Sequence, residues 1–164
     1  MLILNYKTGR GNEMKKLLKV LLFFCVILSL AGCGNKEQTV SYKIEQSGVE
    51  IVIKLDAKGD TITKFTQTSK IDLTNMDKSQ EEQIDKTIEQ MEEKVDNIEG
   101  VEYNTEEENN ILTEVISIQT ENEKTLQEVI DKQILPVTGG SNVKKLSLEK
   151  TGENLVSQGW SEVK

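Results

Sequence analysis

Alternating apolar and polar residues predict three β-strands between residues 40 and 73. Residues 40–44 and 49–55 both alternate, and a third stretch, residues 61–73, changes phase between Ile62 and Phe65. Such a phase change is typical of a β-bulge, where one strand carries an extra residue. Turn-forming residues separate the stretches, so we expect an antiparallel meander with one face in water.

A spacing of three to four residues between apolar positions then predicts a helix of about five turns. Ser79-Gln80-Glu81-Glu82 matches a capping box and is expected to begin this helix, while Asn97 and Gly100 are expected to end it. The apolar stripe is short, so packing on the sheet is favoured over a coiled coil or a partner-binding helix. The stripe consists of Ile84, Ile88, Met91, Val95 and Ile98.

Two further strands and a second helix follow this stripe. Residues 101–103 and 112–120 are predicted strands, with the acidic residues 106–110 as the loop of their hairpin. The second helix is expected from Glu123 until Pro136 stops it.

A last helix is expected from Ser147 to Gly159, and the following Trp160 is expected to pack back on the core. The predicted order of elements is therefore βββ-α-ββ-α-α. An α+β fold satisfies this order, with an antiparallel sheet of about five strands and helices packed on one face. Residues 40–164 are enough to form it as a single domain.

The first 32 residues have the composition of an export signal. A positively charged start, residues 15–19, precedes an apolar run at residues 20–30. As a helix this run reaches only about 16 Å, half of a hydrocarbon core, so a membrane-spanning helix is the poorer interpretation. We expect residues 1–32 to be a signal peptide. Met14 is the expected translation start, which makes residues 1–13 a mis-called extension.

Leu30-Ala31-Gly32-Cys33 follows the apolar run and resembles the bacterial lipobox. In that pattern the cysteine thiol receives a diacylglycerol, and a signal peptidase cuts before it, here between Gly32 and Cys33. We expect lipid on Cys33 to hold the protein on the membrane, with residues 33–39 as a lipidated tether. Ordinary signal-peptide cleavage between Ala31 and Gly32 is the alternative.

The chain is acidic, with a net charge of −8. Residues 1–32 contain five basic and one acidic side chains, so the remainder carries a net charge of −12. This field repels nucleic acid and anionic headgroups. We therefore expect no nucleic acid partner, and membrane attachment through the lipid on Cys33 rather than through a basic patch.

Few residue types that carry out catalysis are present. Cys25 lies in the signal segment, so residues 33–164 contain no histidine and no cysteine other than Cys33. An imidazole base, a thiolate nucleophile and a disulfide framework are thereby excluded, and a zinc site is disfavoured. Two acidic clusters, Asp56 with Asp60 and residues 106–108, do not match a calcium loop. No catalytic residue, metal or cofactor is predicted.

Four segments make the chain resemble the YehR-like family of small bacterial lipoproteins. The resemblance implies an α+β fold and a lipid anchor, and it brings no established activity and no catalytic or ligand residues. The segments are LAGCGNKE at residues 30–37, NIEGV at 97–101, LTEVISI at 112–118 and LVSQGWSEVK at 155–164.

A binding or interaction module at the cell envelope, outside the cytoplasmic membrane, is the function that these features favour. Such a module would bind an envelope protein as its partner and would not be an enzyme. One alternative is an envelope enzyme that uses two facing carboxyl groups, for instance on glycans. The other is a purely structural component of the envelope.

Overall fold

The computed structural model describes residues 26–27, 36–135, 137–138 and 143–163. The predicted lipobox, its cleavage site and the proposed helix stop at Pro136 lie outside the described residues.

One antiparallel sheet of six strands forms the body of the protein. Its strands are β1 (Glu37–Gln46), β2 (Val49–Lys58), β3 (Thr61–Asp72), β4 (Val101–Glu108), β5 (Ile111–Gln119) and β6 (Ser161–Val163). Their spatial order is β4-β5-β3-β2-β1-β6, which makes β4 and β6 the edges. Apart from this sheet, Val26–Ile27 pairs in parallel with Val137–Thr138.

The sequence predicted about five strands, and β6 is the strand that it missed. β6 has three residues, all of them exposed, so it carries no alternation of apolar and polar positions. β1 also begins earlier than predicted. Glu37 to Thr39, assigned to the tether, pair with β2 and belong to the sheet.

The phase change in the third strand is a β-bulge, as predicted. Asp56 pairs with Lys64 and Ala57 pairs with Ile62, so Thr63 is the extra residue of β3. The Thr63 hydroxyl donates to the Asp56 carbonyl at 3.1 Å. Because one residue is added, Ile62 and Phe65 both face the core.

The hairpin between β4 and β5 is tighter than predicted. Its turn consists only of Asn109 and Asn110, both at positive φ, a conformation that asparagine tolerates. Residues 106–108 are paired along β4 rather than looped out, so the prediction of an acidic loop was wrong. With a turn of two residues, all other residues of the hairpin are paired between β4 and β5.

Within the described ranges, three helices accompany the sheet: α1 (Lys78–Val95), α2 (Glu123–Asp131) and α3 (Leu148–Ser157). α2 and α3 begin as predicted, after Asn122 and Ser147. The capping box of α1 is instead formed by Asp77 and Gln80. The backbone amide of Gln80 donates to the Asp77 carboxylate at 3.0 Å, and the backbone amide of Asp77 donates to the side-chain oxygen of Gln80 at 2.9 Å. The prediction that Ser79 opens this helix was therefore wrong.

All three helices contribute to one core on the same side of the sheet. Ile84 of α1, Leu126 of α2 and Leu155 of α3 join the inward-facing strand residues, and Trp160 packs on this core as predicted. The other side, which carries Lys54, Thr68 and their neighbours, is called the open face below. This is the predicted face in water, because the described strand residues on it remain at least partly exposed, except for Ser117.

Candidate functional site

The start of β1, the turn between β2 and β3 and the start of α3 lie together at one end of the fold. The Gly59 amide donates to the Lys36 carbonyl at 2.9 Å, and the Leu148 amide donates to the Asp60 carbonyl at 2.8 Å. Lys36 follows the predicted lipid-bearing residue, Cys33, by three positions. This part of the molecule is called the anchor end below.

A groove of about 660 Å³ begins at the anchor end and runs between α3 and strands β1 and β6. We call it the α3 groove. Apolar surface predominates in it, contributed by Val40, Tyr42, Leu148 and Val156. Val156 is 56% exposed and so adds accessible apolar surface to the groove. An open apolar groove of this kind is suited to binding rather than to packing.

The start of α3 is fixed by an aspartate from the opposite side of the groove. The Ser147 hydroxyl and the Glu149 amide donate to the two carboxylate oxygens of Asp60, at 2.7 and 2.8 Å. The Lys150 amide donates in turn to the Ser147 hydroxyl at 3.2 Å. Asp60, which belongs to one of the two acidic clusters considered for a cation, is thus a structural residue that positions one wall of the groove.

Gly152 allows α3 to lie directly against β1. The Tyr42 hydroxyl occupies the space that a Cβ atom at position 152 would need. Burial raises the pKa of Tyr42, and the nearby Glu162 carboxylate raises it further. Tyr42 therefore stays protonated and forms part of the groove floor as a neutral side chain.

The rim of the α3 groove is acidic. Glu149 and Glu153 are exposed on α3, and Glu162 is exposed on β6. Among the described residues that line the groove there is no lysine or arginine. None of these three glutamates forms an ion pair with a described lysine. In the described part of the chain, the groove thus combines an apolar floor with a negative rim.

The beginning of β1 has a free backbone edge beside this groove. β6 pairs only with Ser41 to Lys43, and no other described strand pairs with residues 37–40 on that side. β1 and β2 are joined by the two-residue turn Ser47-Gly48, whose flanking residues exchange backbone hydrogen bonds. Even-numbered residues of β1 therefore bond to β2, and the backbone groups of Glu37 and Thr39 point outward.

A second polar feature is buried beneath the helices. Glu114 is only 8% exposed and accepts a hydrogen bond from the Tyr103 hydroxyl at 2.6 Å. Ser69 also hydrogen-bonds to Glu114, and the Gln67 amide donates to Ser69 at 3.2 Å. Burial raises the pKa of Glu114 despite these bonds, and it raises the pKa of Tyr103 more strongly.

Sequence reasoning missed Glu114, although its position gave a signal. It stands in phase with Leu112, Ile116 and Ile118, the inward residues of β5, where a carboxyl group is out of place. Burial raises the pKa of this carboxyl group. Because it is buried, it does not form an accessible acid–base pair with another carboxyl group.

The remaining acidic candidates lie apart from one another. The Asp56 carboxylate accepts a hydrogen bond from Thr39 at 2.6 Å and pairs with Lys54 at 3.4 Å. Glu106 and Glu108 line a depression of about 600 Å³ at the far end of the sheet, together with Lys70. Within the described ranges no three acidic side chains are grouped so that they could hold a metal ion. In the same ranges no helix has the length and apolar character needed to cross a membrane.

These features define an α+β protein with one antiparallel sheet and a surface groove. The chain belongs to the family described as "Protein of unknown function (DUF1307)", whose model matches residues 38–161. It is 30% identical over 132 residues to the uncharacterized lipoprotein YehR of Escherichia coli, covering 80% of this chain and 82% of that protein. The resemblance to the YehR-like family is thus confirmed.

A further relative and one solved structure agree with this assignment, and a second solved structure shares the fold. The uncharacterized lipoprotein Lin0239 of Listeria innocua is 28% identical over 150 residues, which are 92% of this chain and 97% of that protein. The NMR structure of E. coli YehR has a TM-score of 0.61 at 26% identity and covers 80% of this chain and 94% of its own. An NMR structure from Streptococcus pneumoniae has a TM-score of 0.52 at 14% identity, over 83% and 90% of the two chains, and supports the fold alone.

Proposed function

We propose that this protein is a lipid-anchored binding module of the bacterial envelope, which binds an envelope protein through the α3 groove. In this proposal residues 1–32 are removed as a signal peptide, and lipid on Cys33 holds the protein at the extracytoplasmic face of the membrane. The pairing of Val26–Ile27 with Val137–Thr138 would then belong to the precursor only.

Two observations support the anchor. The lipobox Leu30-Ala31-Gly32-Cys33 stands directly after an apolar run, and three relatives are named lipoproteins. The tether is also short, since the Cα atoms of Cys33 and Lys36 can be at most about 11 Å apart. The anchor end, including one end of the α3 groove, would therefore stay close to the membrane surface.

Substitution of the lipobox cysteine tests the anchor. We expect Cys33→Ala to abolish the acylated N-terminal peptide in mass spectrometry and to release the protein from the membrane fraction or leave it unprocessed. Cys25→Ala is the matched control, because it removes a thiol from the signal segment and should leave lipidation intact. Full membrane retention of a processed Cys33→Ala protein would contradict the proposal.

The open apolar groove is the single observation that carries the binding role. An enzyme with two facing carboxyl groups would require one of them in an open cleft with a raised pKa. Glu114, whose pKa is raised, is buried instead of lying in an open cleft, and the glutamates of the α3 groove lie on its rim. Binding is therefore favoured over carboxylate catalysis.

Site-specific photo-crosslinking in living cells tests the binding role. A photoreactive residue at Val156 or Ser157 should crosslink the same envelope protein, identified by mass spectrometry. The same residue at Lys54, on the open face, is the control and should not capture that protein. Equal capture from both faces would favour a structural envelope component, and capture from the open face alone would contradict the role of the groove.

A further inference from the structure

We infer that the partner of the α3 groove is an extended protein segment with basic and apolar side chains, which pairs with the free edge of β1 at residues 37–40. This inference rests on the proposed function and adds the chemistry and the backbone geometry of the bound segment. It draws on three separate features of the groove: its edge, its rim and its floor.

The free edge supplies backbone recognition. Glu37 and Thr39 direct their amide and carbonyl groups away from β2, and β6 ends before it reaches them. An extended segment that continues the line of β6 would satisfy these groups as a further strand. Such a strand would adjoin the α3 groove, because Gln38 and Val40, the residues that follow these two free positions, line it.

The rim determines the charge of the segment. Glu149, Glu153 and Glu162 surround the groove, and no described lysine pairs with them. Lysine or arginine side chains on the bound strand would complement this rim, whereas an acidic segment would be repelled. The same argument disfavours nucleic acid and the anionic surface of a bilayer as occupants.

The floor determines the remaining residues. Side chains of a strand alternate between its two faces, so every second residue of the bound segment would face the groove. There it would meet Val40 and the exposed part of Val156. Pairing with a second copy of this chain is disfavoured, because each copy would bring its own acidic rim to the contact.

The backbone pairing can be tested with two substitutions at one position. The processed full chain in detergent micelles is titrated into a fluorescent ten-residue peptide that alternates lysine and valine, and into a counterpart with glutamate in place of lysine. Thr39→Pro removes the outward amide and should weaken binding of the basic peptide about ten-fold. Thr39→Ala loses the same hydroxyl bond to Asp56 but keeps the amide, and should bind like the wild type.

The charge of the rim is tested by removing three charges at two places. Glu149→Gln, Glu153→Gln and Glu162→Gln together should weaken binding of the basic peptide about ten-fold at low salt. Glu102→Gln, Glu106→Gln and Glu107→Gln change the net charge equally on β4, at the opposite edge of the sheet, and should change the affinity less than two-fold. Equal losses from both triple variants would overturn the inference, as would tighter binding of the acidic peptide.

These measurements separate failure of the inference from failure of the proposed function. If photo-crosslinking from Val156 still captures an envelope protein while Thr39→Pro binds the basic peptide normally, the groove binds a partner but not by strand addition. If crosslinking from the groove fails as well, both are wrong. If the protein dimerises at high concentration and Thr39→Pro abolishes this dimerisation, then the segment that pairs with β1 belongs to a second copy of this chain, and the inference of a basic partner segment is wrong.

Discussion

At the scale of single residues, Glu114 is the least expected group in the protein. A carboxyl group that is buried without a cation is stable chiefly in its protonated form, and the raised pKa of Glu114 expresses this preference. Tyr103, Ser69 and Gln67 surround it with neutral hydrogen-bonding groups. From α1, the Glu92 carboxylate raises the pKa of Tyr103, and this group is negative as well. Ionisation of Glu114 should therefore cost stability.

Glu114→Gln should change how stability depends on pH. Because the folded pKa lies above the ordinary value of 4.5, the stability that protonated Glu114 contributes is complete below that value and is lost as the pH rises through the folded pKa. The unfolding free energy of the variant should therefore rise relative to the wild type as the pH increases, and then level off. Urea unfolding between pH 4 and 8 measures this difference.

Glu50 provides the control of opposite sign. Its hydrogen bond to Lys43 lowers its pKa, so its contribution exists above the ordinary value and is lost as the pH falls through the folded pKa. The Glu50→Gln variant should therefore have a lower free energy of unfolding than the wild type at neutral pH, and this difference should disappear as the pH falls. A Glu114→Gln difference that stays constant with pH would contradict the role given to burial.

Gly152→Ala should destabilise the protein although alanine is normally the better helix former. The new methyl group would overlap the Tyr42 hydroxyl, and the Tyr42 ring is only 6% exposed and held in the core. We expect a loss of about 1–3 kcal/mol in the free energy of unfolding, as for other overpacked cores. Adding Tyr42→Phe removes the overlapping oxygen and should restore part of this loss. A stabilised Gly152→Ala variant would mean that α3 can move off β1 freely.

At the scale of elements, the sequence predicted those features that depend on neighbouring residues. Alternation identified β2 and the bulge of β3, and the apolar stripe identified α1, because these patterns repeat along the chain itself. The α3 groove was not predicted, since Tyr42, Asp60 and Gly152 meet only through the fold. β6 was missed because an edge strand without a buried side carries no pattern.

The start of α1 shows how competing local signals are decided. Asp77 and Ser79 are both suitable N-cap residues, but Asp77 places Gln80 where the reciprocal capping bond can form. Asp77→Ala should therefore cost about 1 kcal/mol in unfolding free energy, whereas Ser79→Ala should change it by less than about 0.5 kcal/mol. Urea denaturation of both variants distinguishes them. An equal loss of unfolding free energy in both variants would contradict this assignment and would favour the prediction that Ser79 caps the helix.

At the scale of the whole molecule, the features of the fold lie at increasing distance from the anchor end. Lys36, Gly59, Asp60 and the start of α3 come first, and the depression lined by Glu106 and Glu108 lies at the other end of the strands. A lipid on Cys33 would therefore hold the groove near the bilayer and turn the depression away from it. In the proposed function the partner must accordingly present its bound segment close to the membrane.

Lengthening the tether should separate anchoring from partner binding. A twelve-residue Gly/Ser insertion before Lys36 would add about 20 Å of flexible reach, which lowers the effective concentration of the groove at the membrane surface. Lipidation and affinity for the basic peptide should be unchanged, while photo-crosslinking from Val156 to the envelope partner should fall several-fold. Replacing Gly34 and Asn35 by serine, with no change in length, is the control and should crosslink normally. Undiminished crosslinking from the lengthened protein would mean that the partner presents its segment well away from the bilayer, because only then would the added reach leave the encounter between groove and segment unaffected.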